Sequence, residues 1–486
     1  MRKLTGINLR RKLAAAVAPA LLLAGVLTVA GPADAAPQLN CPGPIVTGDT
    51  VLCGTFADGA TYLIEVPARW NKTLFIYSHG YTVPGSPNPA TDVGDPVTGS
   101  WMLTHGFALA GSSYALSGWS IAAALPDQIA TVHTFANMVG EPRHVIAWGH
   151  SLGGIITAGL IQRYPHAFDA ALPMCGVLSG GVATWNTALD AALVFKTFAD
   201  HGAQIIHIKN PGTNLFNAIV ALSNAQGTAK GRARIALGAA LADTPGWFTS
   251  LSPEPAANNF AAQERNQFNW DLNVDFPFAF ALRAQLEALA GGNPSWTTGV
   301  KFGEQLAKSA DASEVVALYK KAHLSLGADL RALDKAARIA ADPKAVRYLA
   351  KNISFTGRLN IPVLTLHTTG DGLVVPENEQ AYAQVVRKAG DSSLLRQFFI
   401  HRAGHCAFTP AETIAAVKAL LFRLRTGHWN DHALSLARMN ATAAALGPNY
   451  NIFFNGKKVV PVAPAFIKFQ PTPYLRPFDL SQKMHH

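Results

Sequence analysis

The stretch Trp148–Ile156, WGHSLGGII, sets one hydroxyl among three glycines directly after the apolar run Val145–Trp148. Gly149-His150-Ser151-Leu152-Gly153 fits the pattern G-x-S-x-G, with a strand candidate before it and a helix candidate after it. In that context the pattern is a nucleophile elbow, a strand-to-helix turn too tight for side chains at the two glycines. It would hold the Ser151 hydroxyl at the edge of a sheet and aim the Leu152 N–H, at the helix N-terminus, toward a developing oxyanion.

A serine becomes a nucleophile when a base takes its proton, and the base needs a carboxylate to orient it. Downstream, LHTTGDGLVVP puts Asp371 just past one strand candidate, and FFIHRAGHCAF puts His405 just past the next. The order Ser151, Asp371, His405, each at a strand end, suits nucleophile, orienting acid and base. Asp391 and His401 compete for the last two roles, but Asp391 precedes its strand and His401 lies in or at the end of the last strand run. His150 and His367 read as structural. A second oxyanion donor is expected after the third strand, where FIYSHGYTV offers the Tyr81 N–H, with Gly80 allowing close approach.

These residues need a scaffold. Short apolar runs at Tyr62–Val66, Thr73–Tyr77, Phe107–Ser112, His144–Trp148, Ala170–Met174, Pro362–His367 and Leu395–Ile400 read as buried strands. Amphipathic runs at Pro126–Val139, Leu152–Tyr164, Pro376–Ala389 and Pro410–Arg425 read as helices, the last two opening on a proline. The alternation predicts a mostly parallel sheet covered on both faces. It breaks between Gly176 and Asn360. There the runs Ala183–Asp200, Asn214–Gln226, Arg232–Asp243, Phe278–Ala290, Ala312–Leu324 and Leu330–Ala341 all carry helical spacing. The tail after Gly427 holds a helical piece around His432–Ala445, a hairpin-like YNIFFNGKKVVPV with Asn455-Gly456 as its turn, and a proline-rich end.

Taken together, SHGY, GHSLGG, TTGDGLVVP and AGHCAF, in that order, resemble the α/β-hydrolase superfamily over residues 45–176 and 361–427. The resemblance implies an α/β-hydrolase fold, with an eight-stranded, mostly parallel sheet and a lid inserted after the sixth strand, where the helical run falls. The expected organisation is a signal peptide at 1–36, core at 37–176, an all-helical cap at 177–360, core at 361–427 and an extension at 428–486. Four cysteines in an exported chain suggest disulfides. Cys41 and Cys53 lie close together and are expected to pair locally. If the sheet runs as the resemblance implies, Cys175 and Cys406 share one carboxyl edge, and a Cys175–Cys406 bond would hold the His405 loop.

The N-terminus carries Arg2, Lys3, Arg10, Arg11 and Lys12, then an apolar run from Leu13 to Ala30 and the small-residue site Ala33-Asp34-Ala35. This is the pattern of a secretory signal, with the mature chain starting at Ala36 or Pro37 and keeping no membrane anchor. Residues 1–36 take +4 of the formal charge of +10, leaving a mild +6. There is no basic run interleaved with aromatics, so nucleic acid is not implied as a partner. No cofactor and no metal are called for. Asp271, Asn273 and Asp275 open like a calcium loop, but Phe276 stands at the required glycine and Leu282 at the distal glutamate. Trp101, Trp119, Trp185 and Phe195 are candidates to line a substrate pocket, with Trp119 the one singled out.

The expectation is a secreted serine hydrolase that cleaves small-molecule or polymeric carboxylic esters through an acyl-enzyme. The alternatives are a secreted serine peptidase of aminopeptidase type and an acyltransferase. A peptidase would need cap carboxylates for a free amino terminus. Glu254, Glu264, Glu287 and Glu304 are available without forming an obvious pair.

Overall fold

The computed structural model describes residues 41–479, apart from Ala337, Gly456 and Lys457. The signal peptide expected at residues 1–36 lies outside the described residues. Eight strands follow the expected rhythm: β1 (Thr50–Thr55), β2 (Thr61–Val66), β3 (Thr73–Ser78), β4 (Ala108–Ser112), β5 (His144–His150), β6 (Ala170–Met174), β7 (Val363–Gly370) and β8 (Leu395–Ala403). The tail adds β9 (Ile452–Asn455), β10 (Lys458–Pro461) and β11 (Phe466–Ile467). The main sheet runs β1-β2-β4-β3-β5-β6-β7-β8-β11. Strands β3 to β8 are mutually parallel, whereas β1, β2 and β11 join antiparallel.

The sheet therefore has nine strands, not eight. The extra one is only two residues long, Phe466↔Ile400 and Ile467↔Phe399, and covers the β8 edge. β1 was not anticipated either. The tail hairpin forms as β9 and β10, but Asn455 pairs with Lys458 and so belongs to the strand, not to the turn.

Both faces of the sheet are covered, which is why β3 is buried along its whole length. Helices 121–139, 152–163 and 377–389 pack one face through Ile121, Phe135, Ile155, Ile156, Tyr382 and Val386. Helices 96–104 and 410–426 cover the other through Trp101, Met102, Ile414 and Val417. The first of these, Ile121–Val139, starts five residues before the expected Pro126, which sits inside it. So near the N-terminus, the proline removes at most one ladder bond from an otherwise helix-forming IAAAL turn.

Between β6 and β7 there is no strand among the described residues, only helices. They share a hydrophobic cluster of their own, built on Leu189, Leu222, Leu237, Phe280, Phe302 and Leu333. Three helices there escaped the sequence reading, Phe260–Trp270, Phe302–Leu306 and Pro343–Lys351, and the expected Leu330–Ala341 helix runs Leu326–Ala336. The run Phe278–Ala290 opens as a π-helical turn over Phe278–Leu282, and a second π turn spans Asp271–Asp275. A buried ion pair, Arg476 Nη1 to Asp190 Oδ1 at 3.0 Å, ties this segment to the tail. No helix among the described residues is long and apolar enough to cross a membrane.

Many carboxyls are buried. Burial, followed by nearby acids, pushes Asp92 up to about 7 and both Glu314 and Asp275 up to about 8. Burial also raises Glu264 to about 7, against hydrogen bonding from Gln226. Their folded pKa values lie above the unfolded ones, so the stability they contribute is complete below about pH 4 and is lost as pH rises through 7 to 8. His150 acts in the opposite sense. Burial and then His405 hold it down at about 4, so its share is lost as pH falls below about 6.5. The melting temperature is expected to be lower at pH 9 than at pH 6, by about 5 °C or more, in a calorimetric pH series. An equal or higher value at pH 9 would contradict this.

Candidate active site

At the end of β5 the chain turns into helix Leu152–Arg163 through Ser151, whose backbone sits at φ 60°, ψ −123°. That is a left-handed conformation a non-glycine residue rarely adopts. Neighbouring backbone crowds it in. A Cβ added at Gly149 or Gly153 would collide with the Ser78 carbonyl. The Ser151 N–H donates to Met174 O of β6 at 3.0 Å, which fixes the turn against the next strand.

His405 Nε2 lies 2.7 Å from Ser151 Oγ, and His405 Nδ1 lies 2.7 Å from Asp371 Oδ2. Asp371 is fully buried, and its Oδ1 accepts from Leu373 N–H at 3.1 Å and Val374 N–H at 3.0 Å. The three side chains chosen from sequence thus converge. Asp391 accepts from Leu359 N–H instead, and His401 pairs with Glu254 at 3.3 Å.

The loop after β3 lies against the serine. A Cβ at Gly80 would stand 3.3 Å from Ser151 Cβ. His79 stacks on Tyr114 at 4.1 Å, and Tyr114 Oη donates to His79 O at 3.1 Å, which holds the loop in place. Tyr81 and Leu152 both line the cavity at Ser151.

That cavity is walled by Trp119, Trp185, Phe276, Phe278, Val177 and Leu373. Trp119 and Trp185 meet edge to face at 5.6 Å. Of the other pocket candidates, Trp101 lies on the opposite side of the sheet, stacked on His105, and Phe195 packs against Phe276 and Phe280 in the adjoining helical cluster. Neither lines the cavity, because each fills a core position that apolar spacing alone cannot tell from a pocket wall. Asp271 and Asp275 do line it, on a π turn and not on a calcium loop. Among the described residues no group of three or more His, Cys, Asp or Glu side chains could hold a metal ion.

Three groups support the site: His367 and His150, both read as structural from sequence, and the Arg402–Glu412 pair, which was not legible there. His367 is fully buried beneath Asp371, with Nδ1 3.1 Å from Glu379 Oε1 and Nε2 2.7 Å from Val374 O. Burial works against its charge, but Glu379 and then Asp371 outweigh that and raise its pKa. Arg402 binds Glu412 with both terminal nitrogens, at 2.7 and 3.0 Å, and donates to Ala407 O at 2.7 Å. Glu412 also completes the capping box with Thr409. The turn carrying His405 is therefore clamped from beneath. Tyr77 Oη lies 3.1 Å from His150 Nδ1, so the residue before the serine is neutral and fixed.

Two disulfides are present, Cys41–Cys53 and Cys175–Cys406. The second joins the residue after β6 to the residue after His405, with the Cα atoms 5.4 Å apart.

Sheet order, elbow and the strand-end positions of these side chains give the chain an α/β-hydrolase fold. The tannase-like family of unknown function (DUF6351) matches residues 55–262. An o-phthalyl amidase from Xanthobacter agilis is 26% identical over 405 residues, covering 77% of this chain and 87% of that protein. Among solved structures, feruloyl esterase B from Aspergillus oryzae aligns over 78% of this chain and 81% of its own, at 12% identity and a TM-score of 0.37. The rice cell wall degrading esterase LipA from Xanthomonas oryzae aligns over 72% and 81%, at 14% identity and a TM-score of 0.32.

Cys175→Ser/Cys406→Ser is expected to destabilise the fold by about 2–5 kcal/mol. It should also lower kcat for an activated ester more than it changes KM, because the loop bearing His405 loses a tie. Thermal unfolding and steady-state kinetics check this. Unchanged stability together with unchanged kcat would contradict it.

Proposed function

We propose that the chain is a secreted serine hydrolase of carboxylic esters that works through an acyl-enzyme. The observation that carries this is the unbroken relay Asp371–His405–Ser151, with both links at 2.7 Å. His405 Nε2 takes the Ser151 proton as Oγ attacks the ester carbonyl. The N–H groups of Tyr81 and Leu152 receive the oxyanion, the latter with the help of its helix N-terminus. The tetrahedral adduct collapses when His405 passes its proton to the departing alcohol, leaving the acyl group on Ser151. Water, deprotonated by His405, then attacks the acyl-enzyme and releases the acid. Asp371 holds the imidazole in the required tautomer and stabilises its charged form.

The helical segment between β6 and β7 is the cap in this reading, since it supplies Trp185, Asp271 and Phe276 to the cavity wall. Export is supported by the leader-like N-terminus and by two disulfides, which persist in oxidising compartments. Amide cleavage is a second reading, favoured by the relationship to the o-phthalyl amidase. For the aminopeptidase reading, the acids of the helical segment that line the cavity are Asp271 and Asp275, not the four glutamates expected from sequence. Glu254 pairs with His401, Glu264 with Gln226, Glu287 with Arg283 and Glu304 with Lys301, and none of them lines the cavity.

Ser151→Ala should reduce hydrolysis of 4-nitrophenyl acetate by about 10⁴-fold or more, with an unchanged circular dichroism spectrum. Asp371→Asn should cost up to about 10⁴-fold in kcat, while Asp391→Asn should stay within a few-fold of wild type. An active Ser151→Ala protein, or a damaging Asp391→Asn beside a mild Asp371→Asn, would overturn the assignment.

A further inference from the structure

The cavity is closed on its insertion side by the π turn Asp271–Asp275. Single π turns inside helices are uncommon and often mark functional sites. This one is braced against the site. The Trp270 indole packs so closely on Gly372 that a Cβ there would collide with it, and Gly372 follows Asp371 directly. The turn projects two carboxyls, Asp271 and Asp275, into the cavity wall.

Neither acid is accounted for by the fold. Asp271 is only 9% exposed, and its carboxyl makes no hydrogen bond or ion pair with any described residue. Asp275 Oδ2 is buried without a partner. Buried polar groups are almost always hydrogen-bonded, because leaving one unpaired costs about 1–3 kcal/mol. One such atom, with the unpaired and nearly buried Asp271 carboxyl on the same turn and both residues lining the cavity at Ser151, points to a partner that arrives with the ligand.

The rest of the wall says what kind of partner. Among the described residues lining the cavity none is Lys, Arg or His, and the polar groups besides the acids are neutral, among them Thr184, Thr187, Asn378, Tyr474 and the partnerless indole N–H groups of Trp119 and Trp185. A ligand carboxylate would meet two acids and no cation. The apolar wall is dominated by flat rings, Trp119, Trp185, Phe276 and Phe278, which suit an aromatic ring.

We propose that Asp271 and Asp275 form a substrate subsite that receives a hydrogen-bond donor, a hydroxyl or an ammonium, on an aromatic ester, and that rejects a carboxylate at the same place. This rests on the hydrolase reading above and names its substrate class. The state of the acids agrees with it. Burial, followed by Asp371, raises Asp275 to about 8, and burial, followed by Asp275 and Glu264, raises Asp271 well above the usual carboxylate range.

The test compares kcat/KM for methyl benzoate, methyl 3-hydroxybenzoate, methyl 3-(aminomethyl)benzoate and monomethyl isophthalate, each normalised to its rate of alkaline hydrolysis. Wild-type enzyme should prefer the hydroxyl or the aminomethyl ester over the plain ring by about tenfold or more, and should disfavour the carboxylate ester by a similar factor. Whichever of the two donors is preferred identifies the source. In Asp271→Ala/Asp275→Ala both ratios should fall toward one. Wild-type ratios near one, a preference for the carboxylate ester, or ratios that survive in the folded double variant would each overturn the subsite. If the double variant does not fold, the wild-type ratios alone decide. Turnover of 4-nitrophenyl acetate, measured alongside, separates the two levels. Its absence overturns the hydrolase reading and the subsite with it, whereas its presence with ratios near one overturns the subsite alone.

Discussion

Ser151 is held with its backbone in the left-handed region because the turn from β5 into the next helix has room for nothing wider. The Ser78 carbonyl presses on the positions of Gly149 and Gly153, and the Ser151 N–H is spent on β6. Such strain persists only where the surroundings over-determine it. Here they are the three adjacent parallel strands β3, β5 and β6, buried between helices on both faces. The sheet order then dictates the rest. With β7 and β8 next in line, their C-terminal ends present Asp371 and His405 at the same edge as the elbow. The β3 loop beside the serine brings Gly80 and Tyr81.

Holding His405 at 2.7 Å from the strained Ser151 hydroxyl takes more than three side chains. Loop Gly404–Phe408 hangs between two strong ties, the Cys175–Cys406 bond on one side and the Arg402–Glu412 pair on the other. Both cysteines have positive φ, 42° and 52°, so the bond joins two tight turns. Asp371 is fixed in turn by two backbone donors and by His367, which sits beneath it at 3.7 Å with Glu379 behind. A buried carboxylate with that support stays oriented toward His405 Nδ1 without help from solvent.

The elbow was legible because its constraint is local. A strand, five residues and a helix are contiguous, and the glycines record the crowding directly. Asp371 and His405 were legible because each follows its strand at once. The missing parts are those that depend on distant contacts. Strand β1, TVLCGT, is half-exposed along most of its length and pairs only with β2, so its apolar signal is faint. Strand β11 is two residues that count only because β8 lies beside them. Trp101 and Trp119 look alike in sequence, yet one fills the core and the other faces the cavity. Asp271 and Asp275 read as a damaged calcium loop, since nothing local shows that helix Phe260–Trp270 continues as a π turn over the Asp371 loop. Arg402 and Glu412 are ten residues apart, but their pairing depends on how the helix after β8 docks.

The central claim is that Ser151 carries the acyl group between the two halves of the reaction. Rapid acid quench of the protein during turnover of an activated aryl ester, followed by peptide mass mapping, reads this directly. The account predicts the acyl mass on the peptide containing Ser151, appearing within the first turnover and decaying as the ester is exhausted. Turnover with no adduct at any quench time, or an adduct on a different residue that forms and decays at the rate of turnover, would contradict it.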